Sequence, residues 1–150
     1  MSDAPGGGRP LGWAAAHLPE TERYATDLTV GRHRLAADEP SQPGNPSVGP
    51  TPLGLLLAAL ASCTAITLRM YAERKYTDLG EIDVRVSAGA GRDRPRVLRR
   101  IHLSVPTSPE DLEHLASIAD RTPVTLILAP GMDLRTELTA GPRRGSRAAR

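Results

Sequence analysis

The chain has 150 residues, 39% of them hydrophobic, which favours a single domain with a core of its own. Phenylalanine is absent and tryptophan occurs once, so the core must be built from Leu, Ile, Val and Ala. A net charge of +2 provides no strong basic field for nucleic acid, and one cysteine excludes an internal disulfide and a cysteine-based zinc site.

The N-terminal third is predicted to contain an arm, a hairpin and a loop. Residues 1–20 are rich in Gly, Pro and Ala and are expected to form a flexible arm without the apolar segment of a signal peptide. Residues 23–30 and 32–37 flank Gly31 and indicate a β-hairpin. Residues 38–50 hold several prolines and form a loop long enough to be functional.

A long helix is predicted to follow. Thr51 can cap it, Pro52 suits the first helical position, and the helix should extend to about Lys75. Between Leu55 and Ile66 it is apolar all round, so it must be covered on every side, and a partner subunit could cover part of it. Charged residues follow too soon for a bilayer span, so we expect no membrane segment and a cytoplasmic protein.

The second half predicts two strands and another helix. Residues 81–88 and 97–105 alternate apolar with polar positions, as half-buried strands do. A helix begins at Ser108, has its apolar residues at helical spacing, and ends before Thr122.

A short apolar piece at 124–128, a last strand at 132–138 and a disordered basic tail at 141–150 complete the chain. The resulting order, β-β-α-β-β-α-β, indicates an α+β fold rather than a parallel doubly wound sheet, with one domain over residues 21–140.

The charged residues by themselves indicate no cofactor and no metal. The four histidines lack metal-ligand spacing, and no phosphate-binding loop is present. The arginines at 92–96, together with Arg99 and Arg100, are expected to lie on a solvated turn and strand end, because no aromatic residues alternate with them.

Cys63 lies in the middle of the predicted long helix and has two interpretations. Free cysteine is among the most buried residue types, which favours a structural role. The hydroxyls of Ser62 and Thr64, and Arg32 and Arg34 on the hairpin, favour a reactive thiol, since a nearby guanidinium would stabilise the thiolate.

Several segments resemble one known family. Residues 49–53, followed by the helix from Leu55 to Lys75, are similar to the helix that carries the first cysteine in the OsmC/Ohr family of organic hydroperoxide resistance proteins. The hairpin at 31–40, the segment 118–124 and the end 134–138 fit the same family in the same order.

The resemblance implies an OsmC-like fold, an antiparallel sheet wrapped around a long central helix in an intertwined homodimer. It also implies thiol-dependent reduction of organic hydroperoxides in oxidative stress defence. The first cysteine, here Cys63, attacks the O–O bond, a second cysteine forms a disulfide with it, and an external thiol or dithiol reduces that disulfide. An arginine stabilises the thiolate, and Arg32 and Arg34 are the candidates, with Arg23 a weaker one.

This chain departs from the family pattern at four positions, of which Thr125 and Leu126 stand where many relatives have His and Arg after Pro-Val. Thr122 occupies the place of the second cysteine and Gly54 that of the glutamate that orients the arginine. Threonine cannot resolve a sulfenic acid, so an outside thiol would have to do so. Asp38 or Glu39 could replace the missing carboxylate.

Three functions therefore stay open. The chain can be a one-cysteine peroxidase that reduces a small apolar hydroperoxide with an external thiol. It can be an inactive dimer that binds an apolar small molecule, since both Thr122 and Gly54 lack the family's chemistry. It can also be a redox sensor in which oxidation of Cys63 alters a partner contact.

Overall fold

The structure is a computed structural model that describes residues 12–40 and 46–131. These residues form a mixed α+β fold, as the sequence predicts, with two antiparallel sheets of order β1-β2-β3 and β4-β5. The elements are β1 (Ala14–His17), β2 (Thr26–Val30), β3 (His33–Ala37), α1 (Pro52–Lys75), β4 (Ile82–Gly89), β5 (Arg96–Leu103), α2 (Pro109–Ala119) and α3 (Pro123–Leu128).

The predicted hairpin is β2–β3, joined by two residues with Val30 opposite His33. Gly31 is the first of the two and has φ 57°, the position that type II′ hairpin turns give to glycine. The expectation of a flexible arm over residues 1–20 is wrong for Ala14–His17, which pairs with β2 as β1. A run of alanines shows no alternation, so only the pairing with β2 defines this strand.

The bounds of α1 follow from its caps. The Thr51 hydroxyl accepts a hydrogen bond from the Gly54 N–H at 3.1 Å, and Pro52 occupies the first turn. The helix ends at Lys75, and Tyr76 follows with a left-handed backbone (φ 53°), which lets the N–H of Thr77 donate to the Ala72 carbonyl at 3.0 Å.

The core lies where α1 meets β4, β5 and α2. Its buried members are Leu68 and Ala72 of α1, Leu79 after the helix, and Leu115 of α2. On α1 the buried side chains recur every fourth residue, at Leu60, Thr64, Leu68 and Ala72, so this domain covers only one face of the helix.

Other elements differ from the predictions in detail. Residues 124–128 belong to a short helix, α3, because Thr122 and Pro123 provide a cap position and a first-turn proline. Strand β5 ends at Leu103 rather than at residue 105. The predicted last strand at 132–138 and the tail at 141–150 lie outside the described residues.

Helix α1 extends beyond its apolar stretch, Leu55–Ile66, at both ends. The helix has 24 residues, and an 18-residue window of it has a mean hydropathy of 1.8 and is 17% buried, so it is long and apolar enough to cross a bilayer by length and composition alone. Core helices of soluble domains meet the same criterion, and here the helix packs on β4, α2 and α3.

Candidate functional site

Cys63 is partly buried in the middle of α1. The two neighbouring hydroxyls, which favoured a reactive thiol, bond to the helix itself. Ser62 donates to the Ala59 carbonyl at 3.2 Å and Thr64 to the Leu60 carbonyl at 2.8 Å. Both hydroxyls therefore donate within their own helix and not to the thiol.

The thiol lies at the border between the buried stripe of α1 and an exposed apolar face. At helical spacing from Cys63, the side chains of Leu56, Ile66 and Met70 are 44%, 59% and 46% exposed. Apolar side chains in such a row form a face that one copy of the described chain leaves uncovered.

The structure places the candidate arginines on exposed parts of the N-terminal sheet. Arg32 is in the β2–β3 turn and Arg34 is on β3, and both are exposed. Among the described residues, neither has a hydrogen bond or ion pair with Cys63. Arg23 lies over the ring of Tyr24, 5.1 Å from its centroid.

In the part of the chain that the structure describes, neither possible replacement for the family carboxylate, Asp38 or Glu39, forms an ion pair with an arginine. Asp38 accepts hydrogen bonds from the N–H groups of Glu39 (2.8 Å) and Val48 (3.2 Å), which closes its own loop. At Gly54 a Cβ atom would lie 3.2 Å from the hydroxyl of Thr51 that caps the helix. Neither position orients an arginine within the described residues.

Thr122, at the place of the family's second cysteine, is fully buried. Its hydroxyl is 2.7 Å from the hydroxyl of Thr125, which in turn donates to the Ala119 carbonyl at 3.2 Å. This buried, hydrogen-bonded hydroxyl has a structural role. Because threonine has no sulfur atom, Thr122 cannot form a disulfide with a sulfenic acid at Cys63.

Arg99 joins these hydroxyls to the helix that carries Cys63. Its Nη1 donates to the Oγ1 atoms of Thr64 and Thr125, both at 3.0 Å, and its Nη2 lies 2.8 Å from an oxygen of Asp120. The Arg99 side chain is only 13% exposed. We call the five residues Thr64, Arg99, Asp120, Thr122 and Thr125 the Arg99 network.

The expectation that Arg99 is solvated is therefore wrong. The residue alternates with Ile101 and Leu103 on β5, so its side chain faces α1 and the core rather than solvent. An arginine in phase with inward-facing apolar residues was the signal in the sequence. Arg100, one position on, is exposed, as predicted.

Two cavities meet at Arg99. One, of about 480 Å³, lies between β5 and α2 and is lined mainly by apolar side chains, including Leu68, Ile101, Leu103 and Leu115. The other, of about 1050 Å³, is open and lies between the β4–β5 turn and α3. Cys63 lines neither of them, and no cluster of three or more metal-ligating side chains occurs within residues 12–40 and 46–131.

The fold and the site define a class of protein, a mixed α+β domain with a single cysteine in the middle of its long helix. The family model described as OsmC-like protein matches residues 43–137, and the chain belongs to this family. This confirms the resemblance seen in the sequence. No curated protein sequence matches the chain.

Solved structures of the family share the fold. An OsmC-like protein from Mycoplasma pneumoniae has 18% identity and a TM-score of 0.62 over 80% of this chain and 88% of its own. The organic hydroperoxide resistance protein OsmC from Legionella pneumophila has 20% identity and a TM-score of 0.58, covering 80% and 92%. The organic hydroperoxide resistance protein OhrB of Bacillus subtilis has 18% identity and 0.56, covering 77% and 87%.

Proposed function

We propose that this protein reduces organic hydroperoxides through Cys63, with an external thiol as the resolving partner and with weakened activity. The observation that carries the proposal is the position of the thiol. The only cysteine of the chain is half-buried in the middle of α1, in a domain of a family whose members include organic hydroperoxide resistance proteins. No cofactor is required, because the thiol itself supplies the two electrons.

The proposed reaction balances with two thiol equivalents. The Cys63 thiolate attacks the terminal oxygen of the hydroperoxide, an S–O bond forms, the O–O bond breaks, and the alkoxide takes a proton and leaves as the alcohol. An external thiol then attacks the sulfenic sulfur and releases water. A second thiol exchanges with the mixed disulfide, which restores Cys63 and leaves the reductant oxidised.

The need for an external thiol rests on Thr122. Its buried hydroxyl belongs to the Arg99 network and cannot form a disulfide, so the sulfenic acid must persist until a thiol arrives. Weak activity follows from Gly54, which supplies no carboxylate to hold an arginine beside the thiol. A catalytic group misplaced by about 1 Å can cost about a hundredfold in rate.

The same proposal includes a homodimer, in which a second copy covers the exposed face of α1. Ile66, 59% exposed at the centre of that face, should dissociate the dimer when changed to arginine. Leu126 on α3 is 57% exposed and is the matched control, since Leu126→Arg should leave the dimer intact. Light scattering after gel filtration measures both, and a monomeric wild-type protein at micromolar concentration contradicts this part.

Turnover of cumene hydroperoxide tests the chemistry, with a dithiol and a monothiol as alternative reductants. Cys63→Ser should abolish the thiol-dependent rate, whereas Ser62→Ala, a change at an exposed neighbour, should preserve it. Equal rates for wild type and Cys63→Ser would remove the proposal. We expect the reaction to occur in the cytoplasm, where thiol reductants are abundant.

Ligand binding without turnover is the second candidate. It is favoured by one observation: Thr122 replaces the family's second cysteine and Gly54 replaces its glutamate, so both functional groups are missing. Native mass spectrometry of the purified protein should then reveal a bound apolar molecule, and brisk peroxide turnover by an empty protein would count against it.

A further inference from the structure

The cavity of about 480 Å³ between β5 and α2 is large enough to hold a small molecule. Its volume falls within the range of about 300–1,000 Å³ that is typical of ligand pockets. Most of its lining is apolar, and the polar residues Arg99, His102 and Thr107 complete it; the large apolar side chains are those of Leu68, Ile101, Leu103, Leu112 and Leu115. A mainly apolar lining favours an apolar ligand, and the few polar groups fix the orientation of that ligand.

Arg99 is the charged group at this cavity, and its guanidinium has donors to spare. A guanidinium carries five N–H donors. Two Nη1 donors reach Thr64 and Thr125, and one from Nη2 reaches Asp120, so the Nε–H and the second Nη2–H have no partner among the described residues. Because the side chain is 13% exposed, a further acceptor from a ligand would meet a partly desolvated, fixed cation.

The open cavity that Arg99 also lines carries more positive than negative charge. Arg92, Arg94 and Arg96 line the open cavity on the other side of Arg99, against the two carboxylates of Asp93 and Asp120. Asp120, the ion-pair partner of Arg99, is 76% exposed, so water screens its charge and the pair leaves room for a second acceptor.

We propose that the cavity between β5 and α2 binds an apolar monocarboxylate, with its chain against Leu103 and Leu115 and its carboxylate on Arg99. Arginine suits this ligand because its planar fork donates to two carboxylate oxygens at once. The site is separate from the reaction proposed for Cys63, which does not line the cavity.

Calorimetric titration of the full-length protein with decanoate, and with decanol as the uncharged match, tests the proposal. Wild type should bind decanoate about tenfold or more tightly than decanol, since hydrogen bonds to charged groups are the strong ones. Arg99→Met should remove that preference, and Arg100→Met, at the exposed neighbouring position, should retain it. Equal affinity of wild type for the two ligands, or binding of neither, overturns the proposal.

A second variant keeps the test valid if the loss of Arg99 unfolds the domain. Ala116 lines the cavity from α2 and is exposed, so Ala116→Met fills the cavity without burying a new polar group. It should weaken decanoate binding about tenfold or more, and unchanged binding would place the ligand elsewhere. Cys63→Ser should bind decanoate like wild type, so the binding result can be interpreted even if Cys63 does not reduce hydroperoxides.

Discussion

Replacement of Arg99 by methionine should reveal how much the Arg99 network contributes to stability. Methionine keeps most of the apolar stem of arginine and removes only its donors. The change breaks the bonds to Thr64 and Thr125, both part-buried, and the ion pair with Asp120. It therefore isolates the polar contribution of one side chain to the packing of β5 against α1 and α3.

The expected cost can be worked from the partners that remain. Thr64 keeps its bond to the Leu60 carbonyl, and Thr125 keeps Thr122 and the Ala119 carbonyl, so no buried hydroxyl is orphaned. Two hydrogen bonds from a charged donor are then lost at the low end of their range, about 1.5 kcal/mol each. The pair with exposed Asp120 adds about 0–1 kcal/mol, giving about 3–4 kcal/mol in total.

Urea unfolding followed by circular dichroism measures this loss at a fixed protein concentration, since association would stabilise the folded state. Arg100→Met is the matched control and should change the unfolding free energy by less than about 0.5 kcal/mol. If the two variants have the same unfolding free energy, the Arg99 network does not stabilise the fold, and the reasoning above is refuted.

Three further changes have defined outcomes. Thr122→Cys should form a disulfide with Cys63 when hydroperoxide is added, because the Arg99 network links Thr122 to α1, the helix that carries Cys63. The intact mass should then fall by two hydrogens, and two alkylatable thiols after oxidation would contradict this prediction. Leu68→Ala, at a side chain 1% exposed, should cost about 2–5 kcal/mol in denaturant unfolding, against less than about 1.5 kcal/mol for Leu68→Met. Tyr71→Phe removes a 2.8 Å hydrogen bond to His114 and should lower the unfolding free energy by about 1 kcal/mol or less; a larger loss would mean that the bond is not solvent-exposed.

The sequence predicts where Cys63 lies in the fold, but not which residues surround it. Its position in the middle of a long helix follows from the caps at Thr51 and Pro52 and from the apolar run, and the helix has the predicted bounds. The surroundings of the thiol do not follow. A local pattern reports which residues share a face, not which distant segment will cover that face. The hairpin arginines Arg32 and Arg34 are therefore candidates from their place in the chain and from resemblance, and neither bonds to Cys63 within the described residues.

The sequence by itself determined the elements with strong periodicity or caps: the hairpin around Gly31, α1, the strands β4 and β5, and α2. It also determined the OsmC-like family, because the motif around Cys63 is local. Strand β1 was missed because alanine carries no alternation of polarity, and only pairing with β2 defines it.

The tertiary structure alone decided the Arg99 network. Thr64, Arg99 and Thr125 are 35 and 26 residues apart along the chain, and β5 must pack on α1 and α3 before their side chains meet. Burial then changes the role of the arginine. On an exposed strand end it would be solvated, whereas facing the core it must find hydrogen-bond partners, because an unpaired buried charge is costly.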